Sequence, residues 1–138
     1  MPLRQFAPLG RIEGIRLLSL QVNPGREEIN ALAGDFTVTD LGGRFNTGSF
    51  VDAAAVVKNL DLVVTVDTAL AHLAGALAAP VWVALPYASD WRWMQHREDS
   101  PWYPTMRLFR QRQGGDWEEV FERVAGELRK MVWKRSRR

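Results

Sequence analysis

The segment from Leu62 to Leu77 constrains the possible fold more than any other part of this chain. It opens with an apolar, β-branched run, Leu62 to Val66, passes through Asp67 and Thr68, and continues as a run of small residues. An uninterrupted apolar run of this length is typical of a central parallel strand that is covered on both faces. A strand that turns directly into a helix is the building unit of α/β folds, so we expect a parallel sheet with packed helices.

Three polar side chains stand where this strand becomes a helix. Asp67 ends the strand, Thr68 opens the first helical turn, and His72 follows four residues later on the same helix face as Thr68. The free N–H groups of a first helical turn bind anions, phosphates above all, so a diphosphate there would meet Thr68 and His72. Taken singly, Asp67 is more often a simple N-cap, and His72 is more often a histidine packed beneath a loop.

The rest of the chain alternates between strand-like and helix-like segments. Strands are predicted at 15–21, 36–41, 62–66, 81–85 and 107–110, and helices at 26–33, from 49, at 68–78 and from 116. This alternation predicts one α/β domain over residues 1–138, a three-layer Rossmann-like domain with a five-stranded parallel sheet in the order 2-1-3-4-5. That order opens a crevice between strands one and three, so Gln21 and Asn23 are expected beside Asp67.

Composition excludes several classes of site. The chain has no cysteine and only two histidines, which are far apart, so neither a disulfide framework nor a zinc site is expected. No D-x-D pair is present to hold a divalent metal, and neither a G-x-G-x-x-G nor a Walker A sequence occurs. We therefore expect no metal and no cofactor. No membrane span or secretory signal is predicted, which favours a cytoplasmic location.

Basic residues are concentrated at the carboxyl end, although the net charge is only +2. Six of the last ten residues are basic: Arg129, Lys130, Lys134, Arg135, Arg137 and Arg138. The ordinary interpretation is a solvated tail, and the more specific one is peripheral contact with an anionic membrane or another polyanion. Specific binding of nucleic acid is not expected.

The connection from Pro86 to Thr105 is too long to be simple linkage. It runs for twenty residues between predicted strands and holds Trp91, Trp93 and Trp102. Connections of this length inside a compact domain are usually functional or disordered. The aromatic content, together with expected pairing of Arg92 and Arg97 with Glu98 and Asp99, argues against disorder.

These motifs resemble those of a known family. The run from Asp67 to Pro80 resembles the D-[ST]-[GA]-x-x-H-[LI]-A-[GA]-A-L-x-x-P segment of the heptosyltransferase-like (family 9-like) glycosyltransferases. The sequence of the 86–104 connection resembles the branch of that family that is fused to bacterial tetratricopeptide repeats. The resemblance extends from about Phe6 to the final helix. One departure is Ala69, where many members have glycine, which makes backbone approach to a phosphate slightly more crowded.

The resemblance implies a GT-B fold, in which two Rossmann-like halves face each other across a cleft. The chain resembles the carboxyl-terminal half alone, which binds the nucleotide-diphosphate sugar donor without a metal. The amino-terminal half, which binds the acceptor and usually supplies the catalytic base, would be the missing partner. No catalytic residue is identified, and the isolated chain is expected to be inactive.

The resemblance also implies roles for individual residues. Backbone amides near Thr68 and Ala69 would hold the diphosphate, Asp67 would accept hydrogen bonds from sugar or ribose hydroxyls, and His72 would donate to a phosphate or ribose oxygen. Arg92 would neutralise the leaving group or, equally, pair with a surface carboxylate. The remaining implied donor-binding residues are Gln21 and Asn23, which would read the sugar or base, and Tyr87 and Trp91, which would stack on the base or merely cover a core.

Two other classes of function remain open from the sequence. One is a non-catalytic module that binds a nucleotide or mediates protein contacts, with a homodimer formed through the face that a missing half leaves exposed. The other is the nucleotide-binding domain of a different α/β enzyme. A dehydrogenase is disfavoured because residues 21–26 do not supply the glycine fingerprint.

Overall fold

The computed structural model describes residues 1–22, 25–41 and 49–138. The chain divides into two compact units. The first consists of Met1–Gly48 with Phe121–Arg138, and the second is Ser49–Val120.

The first unit contains a small parallel ribbon and several helices. Its elements are a 3-10 helix (Leu3–Phe6), α1 (Ala7–Gly10), β1 (Leu17–Ser19), α2 (Glu27–Ala31), β2 (Val38–Asp40) and most of α5 (Trp117–Ser136). Strands β1 and β2 pair in parallel, with Leu18 opposite Thr39. Leu9 and Phe36 are buried, and the rings of Phe6 and Phe121 lie 4.6 Å apart.

The second unit is built on a three-stranded parallel sheet. Its elements are α3 (Phe50–Lys58), β3 (Val63–Val66), α4 (Ala69–Ala76), β4 (Val81–Leu85), a short 3-10 helix (Trp91–Trp93), β5 (Met106–Arg110) and the start of α5. The strand order is β3-β4-β5. Val81, Val83 and Leu85 on the central strand are fully buried, as the apolar run predicts for a strand covered on both faces.

The predicted α/β class with parallel strands is confirmed. All five predicted strands are present, although the strand predicted at 15–21 is reduced to Leu17–Ser19. The single five-stranded sheet in the order 2-1-3-4-5, the three layers and the single domain over 1–138 stay predictions. Two predicted helix starts are correct: Ser49 Oγ accepts from the amide of Val51 at 3.1 Å, and Asp116 accepts from the amide of Glu119 at 3.1 Å.

The 86–105 connection has internal structure, as predicted. Arg97 and Asp99 form a two-point ion pair with both N···O distances at 2.8 Å, which holds the pKa of the Asp99 carboxyl below its ordinary value. Glu98 contacts Arg107 on β5 at 3.3 Å. The expected pairing of Arg92 with these acids is wrong, because Arg92 pairs with Asp90, two residues earlier in the chain, at 3.3 Å.

Candidate functional site

The turn from β3 into α4 leaves the first helical amides without a side-chain cap. The N-cap residue of α4 is Thr68, whereas the simple N-cap interpretation of the sequence expects Asp67 at that position. Thr68 makes no side-chain capping hydrogen bond. Its hydroxyl instead lies 3.2 Å from Thr65 Oγ1 and 3.4 Å from the carbonyl of Val66. Asp67, Thr68 and Ala69 are exposed. The first turn of α4 is therefore open to an external hydrogen-bond acceptor.

His72 is held by two aromatic rings. Its Nδ1 lies 3.1 Å from the hydroxyl of Tyr103, and its ring stacks on the buried Trp93 with centroids 5.3 Å apart. The other ring nitrogen, Nε2, lies 4.0 Å from an Asp67 carboxylate oxygen. The side chain nevertheless remains 35% exposed. His72 is thus both packed, as the alternative interpretation expects, and accessible from solvent.

A glycine makes the contact between Tyr103 and α4 possible. Gly75 is buried, and a Cβ at this position would lie only 2.5 Å from Cγ of Tyr103. The phenol ring therefore lies directly on the helix backbone, one turn after His72, and its hydroxyl reaches the imidazole.

Beside His72 lies a cavity of about 290 Å³ with aromatic and cationic walls. Its lining residues are His72, Trp91, Arg92, Trp102 and Tyr103. The indole Nε1 of Trp102 donates to the carbonyl of Arg92 at 2.9 Å, and the Arg92 guanidinium lies 5.9 Å from the centre of the Trp91 ring. Arg92 pairs with a surface carboxylate, Asp90, and also lines the cavity, and its predicted role in neutralising a leaving group stays a prediction.

Arg110, at the end of β5, supports the segment that carries Trp91 to Met94. Its guanidinium donates to the carbonyls of Trp93 at 3.2 Å and Met94 at 2.7 Å, and contacts the hydroxyl of Ser89. Burial lowers the pKa of Arg110 from its ordinary value. A sheet residue thereby fixes the backbone from which two cavity-lining side chains project.

The other predicted site residues fall elsewhere. Tyr87 is 63% exposed and does not line this cavity; its backbone amide donates to the buried Gln111 at 3.1 Å. Gln21 is exposed, two residues beyond β1 in the first compact unit, and its expected position beside Asp67 stays a prediction. Asn23 lies outside the described residues.

Three aromatic residues at this site were not predicted to contact His72 or line its cavity. Tyr103 and Trp93 fix the imidazole, and Trp102 forms a cavity wall. The aromatic richness of the long connection was the available signal, but no sequence spacing links Tyr103 to His72.

The described residues offer neither a metal site nor a membrane-spanning helix. Across residues 1–22, 25–41 and 49–138, no group of three or more His, Asp or Glu side chains is placed to hold a metal ion. In the same part of the chain, no helix has the length and apolar character needed to cross a bilayer.

Comparison of the sequence with known protein families identifies the family of this chain. Residues 12–95 match the family model of glycosyltransferase family 9 (heptosyltransferase), a range that includes the β3–α4 turn and His72. The chain belongs to this family. The family predicted from the Asp67–Pro80 segment is therefore confirmed, while its branch fused to tetratricopeptide repeats stays a prediction.

One relative matches nearly all of this family 9 chain. Protein FlbA of Caulobacter vibrioides is 33% identical over 135 residues, which cover 93% of the chain but 22% of that protein. The chain thus spans about a fifth of the length of this relative. No solved structure matches the chain significantly.

Proposed function

We propose that the chain binds a nucleotide-diphosphate sugar as the donor-binding half of a metal-independent GT-B glycosyltransferase. The observation that carries the proposal is the uncapped, exposed first turn of α4 with His72 held one turn later. Membership of glycosyltransferase family 9 supports a donor-binding role.

The chemistry of glycosyl transfer explains why such a turn is useful. Departure of the sugar leaves new negative charge on the nucleoside diphosphate. Backbone N–H groups and the positive end of the helix dipole stabilise that charge without a metal ion. In this proposal the amides at Ala69 and Leu70 and the hydroxyl of Thr68 hold phosphate oxygens, and His72 Nε2 donates to the same group.

Two charged residues complete the proposed donor site. Asp67 lies 4.0 Å from His72 Nε2 and, in the proposal, accepts hydrogen bonds from a hydroxyl of the ligand. Arg92 lines the cavity beside His72 and supplies positive charge to the leaving diphosphate. Gln21 and Asn23 belong to this site only if the two parallel sheets join as 2-1-3-4-5, which is part of the proposal.

The proposal places the acceptor and the catalytic base on an amino-terminal half outside this chain. The matched segment covers only 22% of the relative FlbA, which is consistent with further domains elsewhere in that protein. The proposed activity of the chain itself is therefore donor binding.

Calorimetric titration with UDP, ADP, GDP and CMP tests the proposal. His72→Ala should lower the affinity for the bound nucleotide about tenfold to a hundredfold, the value of one hydrogen bond to a charged group, about 1.5–3 kcal/mol. The matched control is the chain's other histidine, His96, which is exposed at a φ of 57°. His96→Asn suits that backbone conformation and should leave affinity unchanged.

Two results would contradict the proposal. The first is that the wild-type chain binds none of these nucleotides, which would favour the alternative of a protein-interaction module. The second is that His72→Ala, with a native circular dichroism spectrum, binds as tightly as the wild-type chain.

A further inference from the structure

The last turns of α5 combine a high positive charge with an exposed tryptophan. Residues 128–138 contain six basic residues and no acidic one. Four of the six lie on the helix, which continues to Ser136, and all six are exposed: Arg129, Lys130, Lys134, Arg135, Arg137 and Arg138. Most of this charge is therefore held on a folded element and not along an extended tail.

Helical spacing places the charge and the tryptophan on the same side of α5. Arg129, Trp133 and Arg137 are four residues apart, so they follow one another along one face, with Lys130 and Lys134 beside them. Trp133 is 57% exposed, and the guanidinium of Arg137 lies 4.0 Å from the centre of its ring. This cation–π contact restricts the indole while leaving it exposed to solvent.

The other side of α5 is packed within the first compact unit. Leu128 is buried, and Cγ1 of Val132 lies 3.6 Å from the position that a Cβ on Gly14 would occupy. Burial of these apolar side chains stabilises the unit, so the basic side of the helix is the one that stays available to a partner.

We propose that the basic side of α5 is a docking surface for an anionic lipid bilayer. Helices with about four to eight lysines and arginines are typical of segments that bind anionic headgroups, and each such residue near the surface raises the affinity about fivefold. An exposed tryptophan suits the boundary between headgroups and acyl chains, because its ring is largely apolar and its N–H bonds to polar groups there.

The contact between Arg137 and Trp133 favours a bilayer over a nucleic acid. A single-stranded nucleic acid would meet the same positive charge and would stack its bases on the indole. The Arg137 guanidinium already covers one face of that ring. Insertion of the ring among headgroups needs no free face.

The test is sedimentation of the whole chain with lipid vesicles. Vesicles of equimolar phosphatidylglycerol and phosphatidylcholine should bind the chain, vesicles of phosphatidylcholine alone should not, and added salt should weaken binding because it screens exposed charges. Replacing Arg129 and Lys134 together by glutamine should lower the partition coefficient about 25-fold, the product of two single-charge effects. Lys130 is left in place because it pairs with Glu127 at 2.7 Å.

The matched control removes two exposed basic residues from the second compact unit. Lys58→Gln combined with Arg112→Gln changes the net charge equally and should lower the partition coefficient less than about twofold. All four positions are exposed, so both double variants should keep a native circular dichroism spectrum.

Two variants of Trp133 test the aromatic anchor. Trp133→Ala should lower the partition coefficient about threefold to tenfold, the value of partly burying one large apolar side chain. When brominated phosphatidylcholine replaces the ordinary lipid, part of the tryptophan fluorescence of the wild-type chain should be quenched. Trp133→Phe, which keeps an aromatic ring but no indole, should lose that quenching.

Three results would overturn the docking surface. One is an equal loss of vesicle binding in the α5 double variant and its control, which would mean that net charge alone matters. Another is no binding to the mixed vesicles at low salt. The third is binding of polyadenylate without binding of vesicles, which would assign the basic side of α5 to nucleic acid. None of these results changes the proposed donor site, because the two proposals share no residue.

Discussion

Gly75→Ala should destabilise the protein, although the same change normally stabilises a helix. A methyl group at this position would lie 2.5, 2.7 and 2.8 Å from three atoms of the Tyr103 ring, whereas ordinary van der Waals contact begins at 3.4 Å. Overpacking of this kind costs about 1–3 kcal/mol. The gain in helix propensity from replacing glycine by alanine is about 0.5–1 kcal/mol. We therefore expect a net loss of up to about 2.5 kcal/mol.

Gly126 in α5 provides the matched control. It is also helical, but a Cβ there would meet nothing within 4 Å. Gly126→Ala should consequently stabilise the protein by the propensity gain alone, about 0.5–1 kcal/mol. The measurement is urea denaturation of both variants, followed by circular dichroism and tryptophan fluorescence.

A double-mutant cycle decides whether Tyr103 causes the difference. Gly75 and Gly126 lie in different compact units, whereas Gly75 and Tyr103 lie in the same one. In a Tyr103→Ala background the clash is absent, so Gly75→Ala should become stabilising by about 0.5–1 kcal/mol. If Gly75→Ala stabilises the wild-type chain as much as Gly126→Ala does, the close packing of Tyr103 on α4 is refuted.

Three further predictions concern Tyr103, the Arg97–Asp99 ion pair and sugar transfer. Tyr103→Phe keeps the ring but removes the hydrogen bond to His72, so the free energy of unfolding should fall by about 0.5–1.5 kcal/mol. The NMR signals of the imidazole nitrogens should also shift, and unchanged signals would contradict the contact between Tyr103 and His72. The hydrogen bond from Arg97 lowers the pKa of Asp99, so their ion pair is complete above the ordinary aspartate pKa and is lost as the pH falls through the lowered pKa of Asp99. Arg97→Gln should therefore raise the pKa of Asp99 in a carboxyl NMR titration. An unchanged titration curve would refute the pairing. The purified chain should transfer no sugar from UDP-glucose, ADP-glucose or GDP-mannose, and robust product formation would contradict the proposal that the acceptor site and the catalytic base lie on another domain.

The sequence predicted those parts of the fold that depend on local pattern. β4 matches its predicted range of 81–85, because a strand buried on both faces is a continuous apolar run with sharp ends. β1 is shorter than predicted, and all three of its residues are only half-buried, so its apolar residues did not define its ends. The Asp67–His72 turn was predictable for the same local reason, since a strand, a short turn and a helix are contiguous in sequence.

The surroundings of His72 were not predictable in this way. Tyr103 lies 31 residues from His72 in sequence, and its position follows from how the long connection returns to β5, where the amide of Met106 bonds the carbonyl of Tyr103 at 3.1 Å. Local propensity carries no information about such a return. The predicted pairing of Arg92 was wrong for a different reason. Arg92 pairs with Asp90, two residues away in sequence, instead of with the predicted partners Glu98 and Asp99.

For the half-buried His72, packing is compatible with the proposed role in nucleotide binding. Stacking on Trp93 and the bond to Tyr103 restrict the imidazole before any ligand arrives. A side chain that is already ordered loses less conformational entropy when a ligand binds, so in the proposed site the contacts that hold the imidazole would also raise nucleotide affinity. His72→Ala should therefore reduce both the free energy of unfolding and the nucleotide affinity. Tyr103→Phe should reduce the affinity less, because it only makes the imidazole more mobile before the ligand binds. A larger loss of affinity in Tyr103→Phe than in His72→Ala would refute the proposal that Tyr103 acts on the ligand only by holding His72.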